Sequence, residues 1–178
     1  MNLKILQNSS RNTNDYPKAM TRLATPSDFH FMYGLYMHPG VNLFLLYEKM
    51  DEPSFRPIFD DLLYQDVLYI FEDSNTPVGM FKFIPLKHRN SHIAYLGGLA
   101  IDPAEGGKGY GLSMMNEIIQ LGKSKNLQRI ELSVAVTNTK AIALYEKSGF
   151  QKEGVLRKYT YLKRENKFVD EVMMSCLI

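Results

Sequence analysis

Apolar residues along this chain recur at two different spacings, and the spacing marks the elements. Over residues 53–63, Phe55, Ile58, Phe59 and Leu62 return at helical intervals and predict a helix with one apolar side. Leu112, Met115, Ile118, Ile119 and Gly122 predict another, just after a glycine-rich stretch. Residues 139–147 predict a third, ended by Ser148-Gly149, because glycine readily takes the left-handed turn that closes a helix. Ser27-Asp28 offers side-chain oxygens to cap a helix through about Met37, which His38-Pro39-Gly40 stops. Short apolar runs predict strands at residues 21–24, 67–71, 78–84, 93–101, 130–136, 151–162 and 168–177. The turn Asp73-Ser74-Asn75-Thr76 makes the second and third of these a hairpin. Residues 41–50 fit neither spacing.

Strands come first, followed by strand–helix–strand–helix–strand–strand. That order predicts an α/β (α+β) fold, a mixed sheet with helices on both faces. Gly97-Gly98 interrupts the 93–101 strand, as glycines do at a bulge or where another backbone comes close. Residues 1–18 are polar and broken by Asn, Ser and Pro, and read as a loose arm; residues 19–178 read as a single domain.

Composition narrows the function. The 21 basic and 19 acidic residues leave a formal charge of +2, which argues against nucleic-acid binding as the main task. No stretch has the ~20 apolar residues of a membrane span, and the N-terminus lacks a signal peptide's apolar run. The single cysteine, Cys176, lies among apolar residues and reads as a buried inert thiol. A cytoplasmic location is expected, with no metal.

The chemistry begins at Gly106-Gly107-Lys108-Gly109-Tyr110-Gly111, between a strand and a helix. A helix N-terminus presents free amides and roughly half a positive charge, and glycines let the backbone approach a phosphate. Two common phosphate motifs are excluded. Met114 stands where a dinucleotide fingerprint needs its third glycine, and Gly109 stands where a P-loop needs Ser or Thr. Gly122-Lys123-Ser124 imitates the end of a P-loop, but Glu117 replaces its first glycine. A turn without ligand remains the alternative at this point.

Two flanking segments bear on that choice. Leu99-Ala100-Ile101-Asp102-Pro103 leads into the loop, and Asn138-x-x-Ala141-x-x-Leu144-Tyr145-x-x-x-Gly149-Phe150 follows the next strand. Together they resemble the GCN5-related N-acetyltransferase (GNAT) family from about Ile93 to the C-terminus, with a weaker echo over residues 22–28. The resemblance implies a mostly antiparallel acyl-CoA N-acyltransferase fold. It implies that acetyl-CoA is the cosubstrate, with its pyrophosphate on Gly106, Gly107, Lys108, Gly109, Tyr110 and Gly111. Gly106 departs from the family's usual Gln or Arg, which removes one side-chain contribution. By position, Leu99, Ala100 and Ile101 would pair with the pantetheine arm. Asn138 matches a family asparagine that contacts the arm; its local chemistry equally fits a helix N-cap. Tyr145 matches the family's general acid to the departing thiolate, and would otherwise be core.

The base is open. Ser133 occupies the position where N-terminal acetyltransferases carry a glutamate; Glu131, two residues earlier on the same strand face, is a tentative base, with Glu48 and Asp102 behind it. No cysteine falls in the motifs, which favours direct attack by the amine. The acceptor is expected to be a small amine or a protein N-terminus, bound by residues 29–48 and 157–167. The final strands resemble the branch holding ribosomal-protein and phosphinothricin-type acetyltransferases. The enzyme would be a monomer or homodimer. A non-catalytic acyl-CoA-binding module is the alternative.

Overall fold

A computed structural model describes residues 19–178; the loose arm expected over residues 1–18 lies outside them. The chain runs β1 (Ala19–Leu23), α1 (Phe29–Met37), α2 (Pro39–Asn42), α3 (Glu52–Tyr64), β2 (Leu68–Asp73), β3 (Thr76–Pro85) and β4 (Ile93–Ile101). It continues with α4 (Tyr110–Ser124), β5 (Arg129–Ala135), α5 (Thr139–Lys147), β6 (Gln151–Leu162) and β7 (Lys167–Leu177). The strands form one sheet in the order β1-β2-β3-β4-β5-β7-β6. Every neighbouring pair is antiparallel except β4–β5.

Helices cover both faces, as the element order predicts. On one face α4 and α5 pack Met114, Met115, Ile118, Ile142 and Tyr145 against strand residues such as Phe81, Leu96, Ile130 and Val134. On the other, α1 and α3 bury an aromatic group, Phe29, Tyr36, Phe55 and Phe59, against Leu68, Ile70 and Met80. No helix among the described residues is long and apolar enough to cross a membrane.

The structure differs locally from expectation in two places. Asp28 does not cap the free amides of α1. Its carboxylate accepts from the Thr25 amide at 2.7 Å and from Arg22 at 2.8 and 2.9 Å. Second, Pro39 ends α1 but also opens the single turn of α2, because its fixed φ suits the first helical position. Asn42 then donates to the carbonyls of both Tyr36 and Tyr47, each at 2.8 Å, and pins residues 43–47 into a turn.

Arg22 also holds the buried Glu72 at 2.8 Å, so one guanidinium answers two buried carboxylates. Burial alone raises the Asp28 carboxyl, but the hydrogen bonds from Arg22 and Thr25 hold it below the ordinary aspartate range. Arg22→Met leaves both acids buried without a cation. The expected cost is about 2–3 kcal/mol, less than for a fully buried pair because Arg22 is about a third exposed. A urea midpoint equal to wild type would show the cluster to be neutral for stability.

Candidate functional site

The parallel pair β4–β5 is joined only at Ile93–Arg129, Ala94–Ile130 and Tyr95–Glu131. Beyond these three pairs the strands separate, and a cavity of about 350 Å³ opens between Leu96–Leu99 and Leu132–Ala135. The β4 edge facing this gap has backbone amides and carbonyls without a strand partner. Such an edge recruits an extended ligand by main-chain hydrogen bonds. Of the residues assigned to the cofactor arm, Leu99 lines the cavity; Ala100 pairs with Met80, and Ile101 with Gly79.

On its other side β4 stays bonded to β3, with one irregularity. Met80 faces Ala100 while Lys82 faces Gly97, so three steps on β4 match two on β3. The extra residue makes a bulge at Gly98-Leu99, opposite Phe81, one residue along from the expected Gly97-Gly98 because Gly97 stays in register with Lys82. Gly98 has φ +57°, and a Cβ there would lie 2.7 Å from the Tyr36 hydroxyl. Glycine is therefore required both for the backbone and for space.

The glycine loop turns into α4 through left-handed backbone. Gly107 and Gly109 have φ of +79° and +84°, and open space surrounds the place a Cβ would occupy at each. Gly109 is the N-cap of α4, and the first intrahelical bond runs from the Ser113 amide to the Gly109 carbonyl. The amides of Tyr110, Gly111 and Leu112 thus point outward without an acceptor among the described residues. Gly111 lets α4 approach α5, since a Cβ there would meet Leu144 at 3.2 Å. Two side chains of the loop are otherwise engaged. Lys108 is paired with Glu105 at 2.7 Å, and the Tyr110 hydroxyl donates to Asp73. Gly106 follows a 3₁₀ turn and donates its amide to the Pro103 carbonyl.

Asn138 and Tyr145 both line the cavity. Asn138 caps α5 by accepting from the Ala141 amide at 3.2 Å, so the N-cap reading is met, while its side-chain amide has no acceptor among the described residues. Tyr145 is 8% exposed and its hydroxyl has no hydrogen-bond partner among the described residues. Burial, with the neighbouring Tyr95, pushes the Tyr145 phenol up to about 12.

The acids expected from sequence lie elsewhere. Glu131 does not line the cavity; Arg129 holds its carboxylate at 3.0 Å and also reaches Glu153 at 2.6 Å. Asp102 caps a 3₁₀ turn through the Ala104 amide. Glu48 accepts from the Lys163 amide at 3.0 Å, tying the turn after α2 to the β6–β7 connection. Ser133 shares a 2.8 Å hydrogen bond with the Tyr95 hydroxyl at the cavity wall. Of the two segments expected around the acceptor, residues 43–46 and Tyr159, Thr160 and Leu162 do reach the cavity.

Two charged residues line the cavity that sequence reasoning did not single out. Glu171 on β7, opposite Ala135, supplies the cavity's one carboxylate among its lining residues and accepts from the Thr160 hydroxyl. Lys82 on β3 is the one cation among them. The available signal was a charge between apolar residues two positions away on the same strand face: Lys82 between Met80 and Ile84, Glu171 between Val169 and Met173.

Comparison with known proteins adds to this geometry. A sequence profile described as the acetyltransferase (GNAT) family matches residues 29–150. L-amino acid N-acetyltransferase AaaT of Escherichia coli (strain K12) is 35% identical over 88 residues, 49% of this chain and 52% of that protein. Spermidine N(1)-acetyltransferase of Vibrio cholerae serotype O1 is 29% identical over 116 residues, 62% of this chain and 64% of that protein. The matches therefore span less than two thirds of either relative's length. The crystal structure of spermidine N-acetyltransferase from Vibrio cholerae in complex with CoA and spermine superposes with a TM-score of 0.79. That likeness covers 89% of this chain and 95% of that one, at 22% identity, and speaks for the fold.

Proposed function

This chain belongs to the acetyltransferase (GNAT) family, and on that premise we propose that it transfers the acetyl group of acetyl-CoA to a primary amine by direct attack in a ternary complex. The observation that carries the reading is the gap between β4 and β5, open along an unpaired strand edge and adjoined by a helix N-terminus with free amides. An extended amide-bearing arm with a pyrophosphate at one end fits both parts. The pyrophosphate would lie on the amides of the 106–111 loop, and the arm along Leu99. The free side-chain amide of Asn138 would hold the arm from α5. The names of the relatives, an L-amino acid and a spermidine acetyltransferase, support an amine as acceptor. A small amine and a protein N-terminus both satisfy this reading.

The reaction forms an N–C bond and breaks the C–S bond of the thioester. The acceptor ammonium first loses one proton to Glu171, and so to solvent, which frees the nitrogen lone pair; as the nitrogen attacks it becomes acidic and its second proton follows the same route. The sulfur leaves as a thiolate that accepts a hydrogen bond from the Tyr145 hydroxyl, and its protonation is completed from solvent through Tyr145. We assign Glu171 the base role in place of Glu131, because Glu131 is held by Arg129 outside the cavity. Cys176 lies under Gly149, away from the cavity lining, which supports direct attack over an acetyl-enzyme.

The test is to incubate the protein with acetyl-CoA and a panel of amines while following free thiol. Amine-dependent thiol release is expected. CoA binding without release for any amine, including protein N-terminal peptides, would leave only the binding-module reading. Glu171→Gln should lower kcat by about 10²-fold, with CoA affinity near wild type. A kcat within threefold of wild type would remove Glu171 from the base role.

A further inference from the structure

Lys82 is 5% exposed, yet no carboxylate or hydrogen-bond acceptor pairs with its ammonium among the described residues. A buried charge without a partner is costly and is normally compensated by a counter-ion. The one compensation present is weak: the ammonium stands 5.0 Å from the centre of the Tyr47 ring, over its face. Burial accordingly pushes the Lys82 pKa down.

Its position is specific. Lys82 is paired with Gly97, so it stands at the β4 bulge and lines the cavity. Its Cε comes within 3.3 Å of where a Gly98 Cβ would sit, and the Tyr36 hydroxyl within 2.7 Å of the same point. That hydroxyl is also buried without a partner. Two donors in search of an acceptor therefore converge on the bulge. Across the gap, Glu171 faces the same cavity from β7. Apolar side chains, Leu43, Leu45, Leu46, Leu162 and Val169, line the same cavity alongside Tyr159 and Thr160.

We infer that Lys82 is a carboxylate-binding residue, and that the acceptor is an α-amino acid with an apolar side chain. The inference rests on the acetyltransferase reading above and deepens it. An amino acid zwitterion complements this wall as a simple amine does not. Its carboxylate balances the Lys82 charge, its amino group lies toward Glu171, and its side chain meets the leucines. A polyamine brings a second ammonium toward Lys82 and has no group for it. The Lys82 side chain has three donors and no acceptor, so it cannot hydrogen-bond another ammonium.

The test compares L-leucine with 3-methylbutylamine, the same molecule without its carboxylate, and with spermidine. Binding is measured by calorimetry on the CoA-loaded protein, and turnover separately by thiol release. Leucine should bind about 10- to 100-fold more tightly than 3-methylbutylamine, the range of one charge-assisted hydrogen bond. Lys82→Met should abolish that difference while leaving 3-methylbutylamine binding within about twofold. Wild-type protein alone supplies the first comparison, so the inference does not depend on the variant folding. Equal binding of leucine and 3-methylbutylamine, tighter binding of spermidine, or no detectable binding of leucine would each overturn it. So would a Lys82→Met variant whose kcat falls equally for all acceptors with unchanged binding, since Lys82 would then serve the chemistry. Leucine binding that depends on Lys82 without any thiol release would instead preserve the carboxylate site and defeat the transfer reading.

Discussion

Tyr145→Phe should lower kcat by about 10²–10³-fold while CoA affinity stays within twofold of wild type. The change deletes one oxygen and keeps the ring, which packs near Phe150 with centroids 6.1 Å apart. Stability should move little, because the hydroxyl has no hydrogen-bond partner to lose among the described residues. The magnitude follows from the phenol's pKa. In water a thiol and a phenol differ by about 1.5 units. Here burial pushes the phenol up to about 12, which widens the gap from an ordinary thiol to about 3.5 units. Complete proton transfer to a thiolate of ordinary basicity is then uphill. Tyr145 therefore contributes mainly as a hydrogen-bond donor aimed at the sulfur while its charge develops, with transfer completed as solvent re-protonates the pair. Loss of one such preorganised donor typically costs 10²–10³-fold. The phenol also keeps its proton throughout the neutral range, so it is always in the donating form. Stopped-flow measurement of thiol release, in conditions where chemistry limits the rate, checks this. A folded Phe variant with near-normal kcat would return Tyr145 to the core.

The second half of the fold is the part most legible in the sequence, for a physical reason. From Ile93 onward each element carries its own start and stop: the Gly109 cap, the stripe of Met115 and Ile118, Asn138, and the left-handed Gly149. These are local signals, readable within a turn or two of chain. Residues 41–50 were illegible because a long-range contact organises them. Asn42 bridges carbonyls five and six residues away on either side, and Glu48 is held from the distant Lys163. The cavity charges were hidden for a related reason. Whether Lys82, Glu131 or Glu171 meets the ligand depends on where β4 and β5 separate, and that depends on how few residues they pair. Nothing in a single strand encodes it. Glu131 has the right strand and face by alternation, yet Arg129 two residues away on that face captures it. Glu171 is brought to the gap only by the register of β7 on β5.

Gly109→Asp should weaken CoA binding by at least about 100-fold with only a modest loss of stability. At φ +84° a side chain costs backbone strain of about 1 kcal/mol, and aspartate tolerates this region better than most residues. No atom lies within 4 Å of the added Cβ, so the folded state has room for it. The neighbouring amides of Tyr110, Gly111 and Leu112 are free among the described residues, and the proposed pyrophosphate would lie on them. A carboxylate there competes for those amides and stands against the pyrophosphate. Two like charges about 4 Å apart repel by roughly 1–4 kcal/mol at surface dielectric values, and the pyrophosphate carries more than one. Lys108 cannot offset this fully, because Glu105 already pairs with it at 2.7 Å. Gly109→Asn separates charge from shape: it adds the same volume at the same φ without the negative charge. Calorimetry with CoA should find Asn about 10-fold weaker than wild type and Asp weaker by a further 10-fold or more. The Asp penalty should shrink as salt rises from 0.05 to about 0.5 M, since screening acts on repulsion and not on bulk. Wild-type affinity in both folded variants would take the pyrophosphate off the 106–111 loop and leave the helix N-terminus without a ligand.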